Sequence, residues 1–407
     1  MFRKIILGIF FLFTLQNVAQ TGSSSFYSSY GLGETKFANS VENRSMAGMG
    51  NVMDSIHINF QNPASLSAIK LTALSMGGAF SSVKLKNTSI EEKANRVTFD
   101  YLTAAFPLTN KLGVGVGLYA NSYVGYKINS KEGTDMRNLE GLGGMNRAYV
   151  SLGYKLRPKF SLGVEFDYDF GIIQKNILFV HDVDANATFE RSKYEVRGGN
   201  VRLGAFYKTK IAQYDFVTSG TVDLPLGLRV EEVKNKGLIY TVTGAEISFG
   251  AEQKKSFRNN RSQFTFGSTF GIDKKWAIGF ESSFATKGDI GLDDNKALTG
   301  EGKAKIALGG YYIPKYNAFS GYLNRVVYRG GLRYENIGIL AQGESIKDKA
   351  LTLGLGLPLG GTFSNVNIGF EYGQKGTTAA GLVKENYMNF SVGFSFNDRW
   401  FVKRKYD

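Results

Sequence analysis

The chain has 407 residues, of which 43% are hydrophobic, 14% aromatic and 21% charged, with 50 Gly, 6 Pro and no Cys. No stretch after residue 15 approaches the ~18 consecutive apolar residues of a membrane helix, and the aromatic content excludes a disordered chain. Without Cys there is no disulfide framework and no thiolate metal site. The formal charge of +14 is scattered along the chain, which reads as a solvated surface that could meet anionic lipid or lipopolysaccharide; no nucleic-acid partner is expected.

The first element is an address. Met1 to Lys4 form a short basic end, Ile5 to Leu15 an apolar run broken only by Gly8 and Thr14, and Ala19 a small cleavage residue. This layout predicts a secretory signal peptide over 1–19. Loss of Arg3 and Lys4 lowers the formal charge from +14 to +12. Residues 20–69 come next without clean alternation and hold three notable stretches, Tyr27 to Gly33, Ser45 to Asn51 and Ile58 to Leu66.

From residue 70 the sequence alternates with period two, the signature of strands with one apolar face. Leu112, Val114, Val116, Leu118 and Ala120 oppose Gly113, Gly115, Gly117, Tyr119 and Asn121; Phe264, Phe266 and Phe270 oppose Thr265, Gly267 and Thr269; Met388, Phe390, Val392, Phe394 and Phe396 oppose Asn389, Ser391, Gly393 and Ser395. About fourteen such segments are expected, at 71–85, 95–107, 112–128, 146–156, 160–177, 194–208, 213–230, 261–273, 276–287, 302–313, 326–340, 348–357, 364–376 and 385–396. Tight connectors such as 108–111, 157–159 and 273–275 alternate with longer polar ones at 129–145, 178–193, 231–260 and 288–301. Pro107, Pro158, Pro314 and Pro358 fall at segment ends, where a missing amide donor is harmless.

Export, an even strand number, asymmetric loops and a second face rich in Gly, Ser and charge predict an all-β fold: a transmembrane, antiparallel up-and-down β-barrel of about 14 strands over 70–396, in the outer membrane of a Gram-negative bacterium. Residues 20–69 are expected to fold into the barrel lumen as an N-terminal hatch or plug. Tyr126, Tyr154, Tyr334 and Tyr372 are expected in interfacial girdles. The inward face carries Glu165, Asp167 and Asp169 on one segment and Arg202, Lys208, Lys303, Lys305, Arg329 and Arg333 on others, a set that reads as pairing across the lumen rather than a relay. Residues 397–407 form a basic periplasmic tail.

The Gly-rich Met46 to Gly50 stretch, followed by Asn62-Pro63-Ala64 and then fourteen barrel segments, resembles the outer-membrane long-chain fatty-acid transporter (FadL) family, and the ending Asn397 to Lys405 looks like that of Bacteroidetes relatives. The resemblance implies a hatch built on Asn62, Pro63 and Ala64 with a turn at Gly48, Gly50 and Asn51. It also implies that a hydrophobic small molecule enters between outer loops and leaves through a wall opening near the third strand, where Asn121, Ser122 and Gly125 offer a kink. Loops 178–193 and 231–260 are candidates for ligand capture, with Leu238, Ile239, Tyr240, Val242 and Ile247 as contacts; the alternative for both is a hairpin extended outside the membrane.

No catalytic site, metal or cofactor is expected. The two histidines, His57 and His181, lie in the hatch and in a loop, and no strand-borne His faces a Ser partner, so general-base activation of a nucleophile lacks its geometry. Gly-x-Gly runs such as Gly113 to Gly117 and Gly354-Leu355-Gly356 lie inside strands, where small residues make room for a hatch, rather than at the strand-to-helix turn of a phosphate cradle. The sequence supports two functions of different class: passive uptake of hydrophobic compounds such as long-chain fatty acids, or a non-transporting barrel subunit of an outer-membrane secretion or protein-assembly complex.

Overall fold

The computed structural model describes residues 25–36, 39–87, 91–132, 135–180, 186–240, 242–288, 292, 298–360 and 363–399. The signal peptide, His181 and the tail beyond Arg399 lie outside these residues. The strands are β1 (Glu34–Thr35), β2 (Thr72–Lys86), β3 (Glu91–Pro107), β4 (Leu112–Glu132), β5 (Asp135–Arg157), β6 (Phe160–Val180), β7 (Asn186–Ile211), β8 (Tyr214–Tyr240), β9 (Glu246–Arg258), β10 (Gln263–Ile272), β11 (Trp276–Ala285), β12 (Leu298–Gly300), β13 (Lys303–Tyr312), β14 (Val327–Ala341), β15 (Glu344–Pro358), β16 (Asn365–Lys375) and β17 (Lys384–Asp398).

Neighbouring strands pair antiparallel around a full circle, and β17 closes on β2 with Phe390 opposite Phe80. β9 and β10 lie end to end along β8, so they form one wall strand; with β1 and β12 set aside the closed barrel has fourteen strands. Closure removes the free edges that lipid cannot satisfy. The alternating faces behave as expected: Phe264, Phe266, Met388 and Phe390 point outward and are exposed, while Thr269, Ser391 and Ser395 are buried inside.

The wall is uneven. β4 to β8 run for 21–27 residues, whereas β10, β11 and β13 have 10 each. About 9–11 tilted residues cross a bilayer, so β4 to β9 rise well beyond it at the end opposite the short turns. The stretches expected as loops at 129–145, 178–193 and 231–260 are therefore largely strand, because their polar residues sit on both faces of a sheet standing in water.

One irregularity inverts a face. The β4–β5 register shifts between Ala120 and Ser122, leaving Asn121 as a bulge. Before it the odd residues Gly113 and Tyr119 face the lumen; after it Ser122, Val124 and Tyr126 do, as a one-residue insertion requires. Tyr126 is consequently buried in the lumen and does not belong to a girdle, unlike the outward Tyr154, Tyr334 and Tyr372. It packs with Val124, Met145, Ile173, Tyr194, Val196, Leu228, Val230 and Leu292, the last reaching in from the β11–β12 connector. Deleting Asn121 turns Val124 and Tyr126 out of this cluster and is expected to destabilise the barrel by about 2–5 kcal/mol. Asn121→Ala keeps the register and loses one hydrogen bond, about 1 kcal/mol; urea unfolding midpoints compare the two.

Candidate functional site: the lumen and its N-terminal segment

Residues 39–69 sit inside the short-turn half of the barrel, on a floor of glycines. An added Cβ at Gly113 would lie 2.1 Å from the Leu66 carbonyl oxygen, at Gly153 2.5 Å from that of Pro63, at Gly163 2.3 Å from the Ala64 nitrogen and at Gly204 2.2 Å from Asn62 Oδ1. Strands β4 to β7 thus carry Gly where the Asn62-Pro63-Ala64 turn touches them. Asn62 caps the short helical turn Pro63–Ala68 by accepting from the Ala64 amide at 3.1 Å, and its Nδ2 donates to the Ala205 carbonyl at 3.3 Å.

The other expected turn is held by β10, β11 and β13. Gly48, at φ +78°, lets its amide reach the Asn43 carbonyl at 2.9 Å. The Gly50 amide donates to Glu281 Oε2 at 2.6 Å, and Asn51 Nδ2 donates to the carbonyls of Ser268 and Phe280 at 3.0 and 2.8 Å. Between the two turns Phe60 packs against Tyr101, Tyr119 and Tyr149 with ring centroids 5.4, 5.4 and 6.3 Å away.

Charge fills much of the rest. Arg147 grips Asp169 through two bonds of 2.7 Å and Asp167 through one of 3.2 Å. Arg202 pairs with Glu165 and Asp223 and donates to the Phe60 carbonyl at 2.9 Å. Arg333 meets Asp348 and Glu371 at 3.0 and 2.8 Å, Lys305 meets Glu281 at 2.8 Å, and Lys375 meets Glu34 and Glu385. Above the N-terminal segment most of these groups, though not Glu165, Asp167 or Asp169, line a cavity of about 420 Å³. Gly50, Asn62, Asn121 and Ser122 contribute to its wall, and Leu238, Ile239, Tyr240, Val242 and Ile247 do not. Those five stand at the tip of the β8–β9 hairpin, with Val242 83% exposed.

The wall beside Asn121 has a seam. β3 and β4 pair only from Tyr101–Tyr119 to Pro107–Gly113, and beyond that point β4 turns an edge toward residues 25–36 instead of β3. Glu34 and Thr35 of β1 pair with Tyr123 and Ser122, the Lys36 amide donates to the Asn121 carbonyl at 2.8 Å, and Ser28 Oγ donates to the Gly125 carbonyl at 3.1 Å. Lys36 Nζ bridges to Asp100 on β3 at 3.0 Å. Asn121, Ser122 and Gly125 thus come together at a discontinuity, and the chain's own N-terminal segment lies across it. Sequence reasoning had no signal for this strand addition, since β1 spans two residues.

His57 lies at the short-turn end. Its Nδ1 is 2.6 Å from Asp54 Oδ2, its Nε2 3.9 Å from Glu42, and Asn365 is 3.4 Å away. Burial opposes ionisation of Asp54, but the His57 charge and hydrogen bonds from His57 and the Ile56 and Ser55 amides outweigh it and hold the carboxyl at about 2. Burial likewise opposes the imidazolium, and Asp54 and Glu42 overcome it, raising the His57 pKa.

The BamG family matches residues 1–407, and the chain belongs to that family. No curated protein sequence matches it. Among solved structures, a FadL homologue of Pseudomonas aeruginosa is similar at 10% identity and a TM-score of 0.61, covering 90% of this chain and 99% of that one. The Pseudomonas putida toluene transporter TodX is similar at 15% identity and 0.58, covering 90% and 98%. At these identities the likeness establishes the FadL-like barrel fold.

The lumen geometry sets two expected outcomes. Arg202→Met strands Glu165 and Asp223 in the lumen and is expected to cost about 3–5 kcal/mol; Lys193→Gln, which breaks an exposed pair with Glu195, should cost under about 1 kcal/mol, both read from urea midpoints. The His57 contribution is complete below its unfolded pKa near 6.5 and is lost as pH rises through its raised folded value; the Asp54 contribution is lost only as pH falls through about 2. Amide exchange over 54–58 should therefore quicken on raising the pH above neutrality, once the intrinsic rate is divided out, and His57→Gln should abolish that dependence.

Proposed function

We propose that the protein is a non-transporting barrel subunit of an outer-membrane protein-assembly or secretion complex. The observation that carries this reading is the state of the lumen. Residues 39–69 fill one half, Leu292 and the cluster around it occupy the other end, and the cavity between them has Arg202, Asp223, Arg333, Asp348 and Lys375 on its wall beside Leu32 and Met145. A hydrophobic solute entering there would strip water from those ion pairs. Residues 39–69 act as a fixed plug in this reading.

An exposed aromatic turn supports the same reading. The β13–β14 connector, at the end that faces the periplasm in outer-membrane barrels, presents Phe319 fully exposed and Leu323 at 69%, with Tyr316, Tyr322 and, on the next turn at that end, Phe363 also exposed. Arg325 lies 5.6 Å from the Tyr322 ring. Exposed aromatics with an Arg among them are the composition of protein-binding hot spots. Membership of the BamG family supports the protein-assembly form of the proposal.

A second reading, passive uptake of hydrophobic compounds, is favoured by the β3–β4 seam and by the FadL-like fold. In it residues 25–36 would be a removable strap over a lateral exit, and long-chain fatty acids or aromatic hydrocarbons would be the solutes.

Mild extraction of the chain from its own outer membrane, followed by native mass spectrometry, separates the two. Stoichiometric protein partners that dissociate in Phe319→Asp, with the urea midpoint unchanged, are the expected result. A barrel isolated alone with a hydrophobic adduct would overturn the proposal in favour of uptake.

A further inference from the structure

Most of the cations lining the cavity have a carboxylate: Lys36 and Arg44 share Asp100, Arg147 holds Asp169, Arg202 holds Glu165, Lys305 holds Glu281, Arg333 holds Asp348 and Lys375 holds Glu34. Arg261 and Lys303 differ. Both line the cavity near its outer shoulder, and among the described residues neither forms an ion pair. Their nearest carboxylates, Glu301 and Glu335, interact only at longer range and have other partners, Ser345 at 3.0 Å and Arg333 at 3.9 Å.

The two cations are nonetheless positioned. At the bulge between Asn336 and Leu340, Gly338 takes φ +76° and turns carbonyls inward. Arg261 Nη2 donates to the Gly338 carbonyl at 2.6 Å and Nη1 to that of Ile337 at 3.5 Å, while its buried Nε has no partner among the described residues. Lys303 Nζ donates to Thr35 Oγ1 at 3.3 Å and so touches the strap across the seam. A Cβ added at Gly338 would fall 2.2 Å from Arg261 Nη1 and 2.7 Å from Lys303 Cγ, so both side chains converge on one point. Asn260 and Gln263 stand on the same wall of the cavity. A planar fork fixed by carbonyls, an adjacent ammonium and neutral donors make a receptor for a tetrahedral oxyanion.

We propose that the Arg261–Lys303 shoulder binds a phosphate group, either free phosphate or the phosphate of a lipid or lipopolysaccharide headgroup reaching in from the outer end. The bound anion meets two cations whose facing carboxylates, Glu301 and Glu335, are engaged by Ser345 and Arg333. The inference does not depend on whether the barrel transports or serves a complex.

The test uses the full mature chain in a phosphate-free maltoside detergent, with inorganic phosphate as the probe in calorimetric titration. Saturable binding near one per chain is expected, weakened at least tenfold in Arg261→Gln and in Lys303→Gln, retained in Lys303→Arg and unchanged in Lys193→Gln. Circular dichroism checks that each variant keeps its strands. A second titration adds lipopolysaccharide or its dephosphorylated form to the phosphate-loaded protein: displacement by the first alone assigns the site to a headgroup, and no displacement assigns it to the free ion. Absence of saturable phosphate binding to the wild-type chain overturns the proposal. So does equal affinity in Arg261→Gln and Lys303→Gln, or an equal loss in Lys193→Gln, which would mark a response to net charge alone.

Discussion

Most of the charge that the strands turn inward is paired within the lumen itself. Glu165 and Asp169 are wholly buried and Asp167 nearly so, and an uncompensated carboxylate there would cost several kcal/mol. Arg147 and Arg202 answer them, and Arg202 also takes the Phe60 carbonyl of the N-terminal segment. Glu281 does the converse, accepting the Gly50 amide while held by Lys305. Barrel charge and segment backbone therefore complete one another, and neither is fully satisfied alone. Residues 39–69 belong to the folded barrel as a core belongs to a soluble domain.

That dependence also explains the distribution of glycine. Where Leu66, Pro63 and Ala64 approach β4, β5 and β6, the strands carry Gly113, Gly153 and Gly163 respectively, since any side chain would collide with backbone. Gly354 plays the same part against Ser45 Oγ, 2.1 Å from its added Cβ. The segment docks by close backbone approach at these glycines as well as by the apolar cluster of Val41, Ile58, Phe60 and Leu66 with Tyr101, Tyr119 and Tyr149, so its fit is steep in distance.

Fourteen strands were legible in the sequence because lipid on one side and lumen on the other impose a strict period of two, and nearly every boundary falls within a few residues of its expected place. The failures mark where that constraint lapses. Beyond the membrane both faces meet water, so β4 to β9 continue through residues that read as loop. At Asn121 one inserted residue reverses the face of Tyr126, and a polar, bulge-compatible side chain gives no warning of it. Asn62, Gly50 and Asn51 could be singled out as turn residues, yet their partners, from Ala205 to Phe280, lie more than a hundred residues away and only the closed ring brings them near. Glu34 and Thr35 carried no strand signal, because their pairing depends on an edge that β3 leaves vacant.

The bulge at Asn121 and the filled lumen bear on function together. The bulge frees an edge of β4, which by itself would be a lateral route, and the chain lays residues 25–36 along it with Ser28, Glu34 and Lys36 each tied to a different strand. Opening that route means breaking the Lys36–Asp100 and Lys375–Glu34 pairs while their partners remain in the wall, and the space behind it carries further ion pairs among its lining. On the proposed complex-subunit reading these pairs are the barrier to a hydrophobe, through desolvation of ions on entry and loss of ion pairs on exit. A barrel whose interior is committed to holding itself together leaves its outward surfaces, the tall β4–β9 wall and the Phe319 turn, as the parts free to meet another molecule.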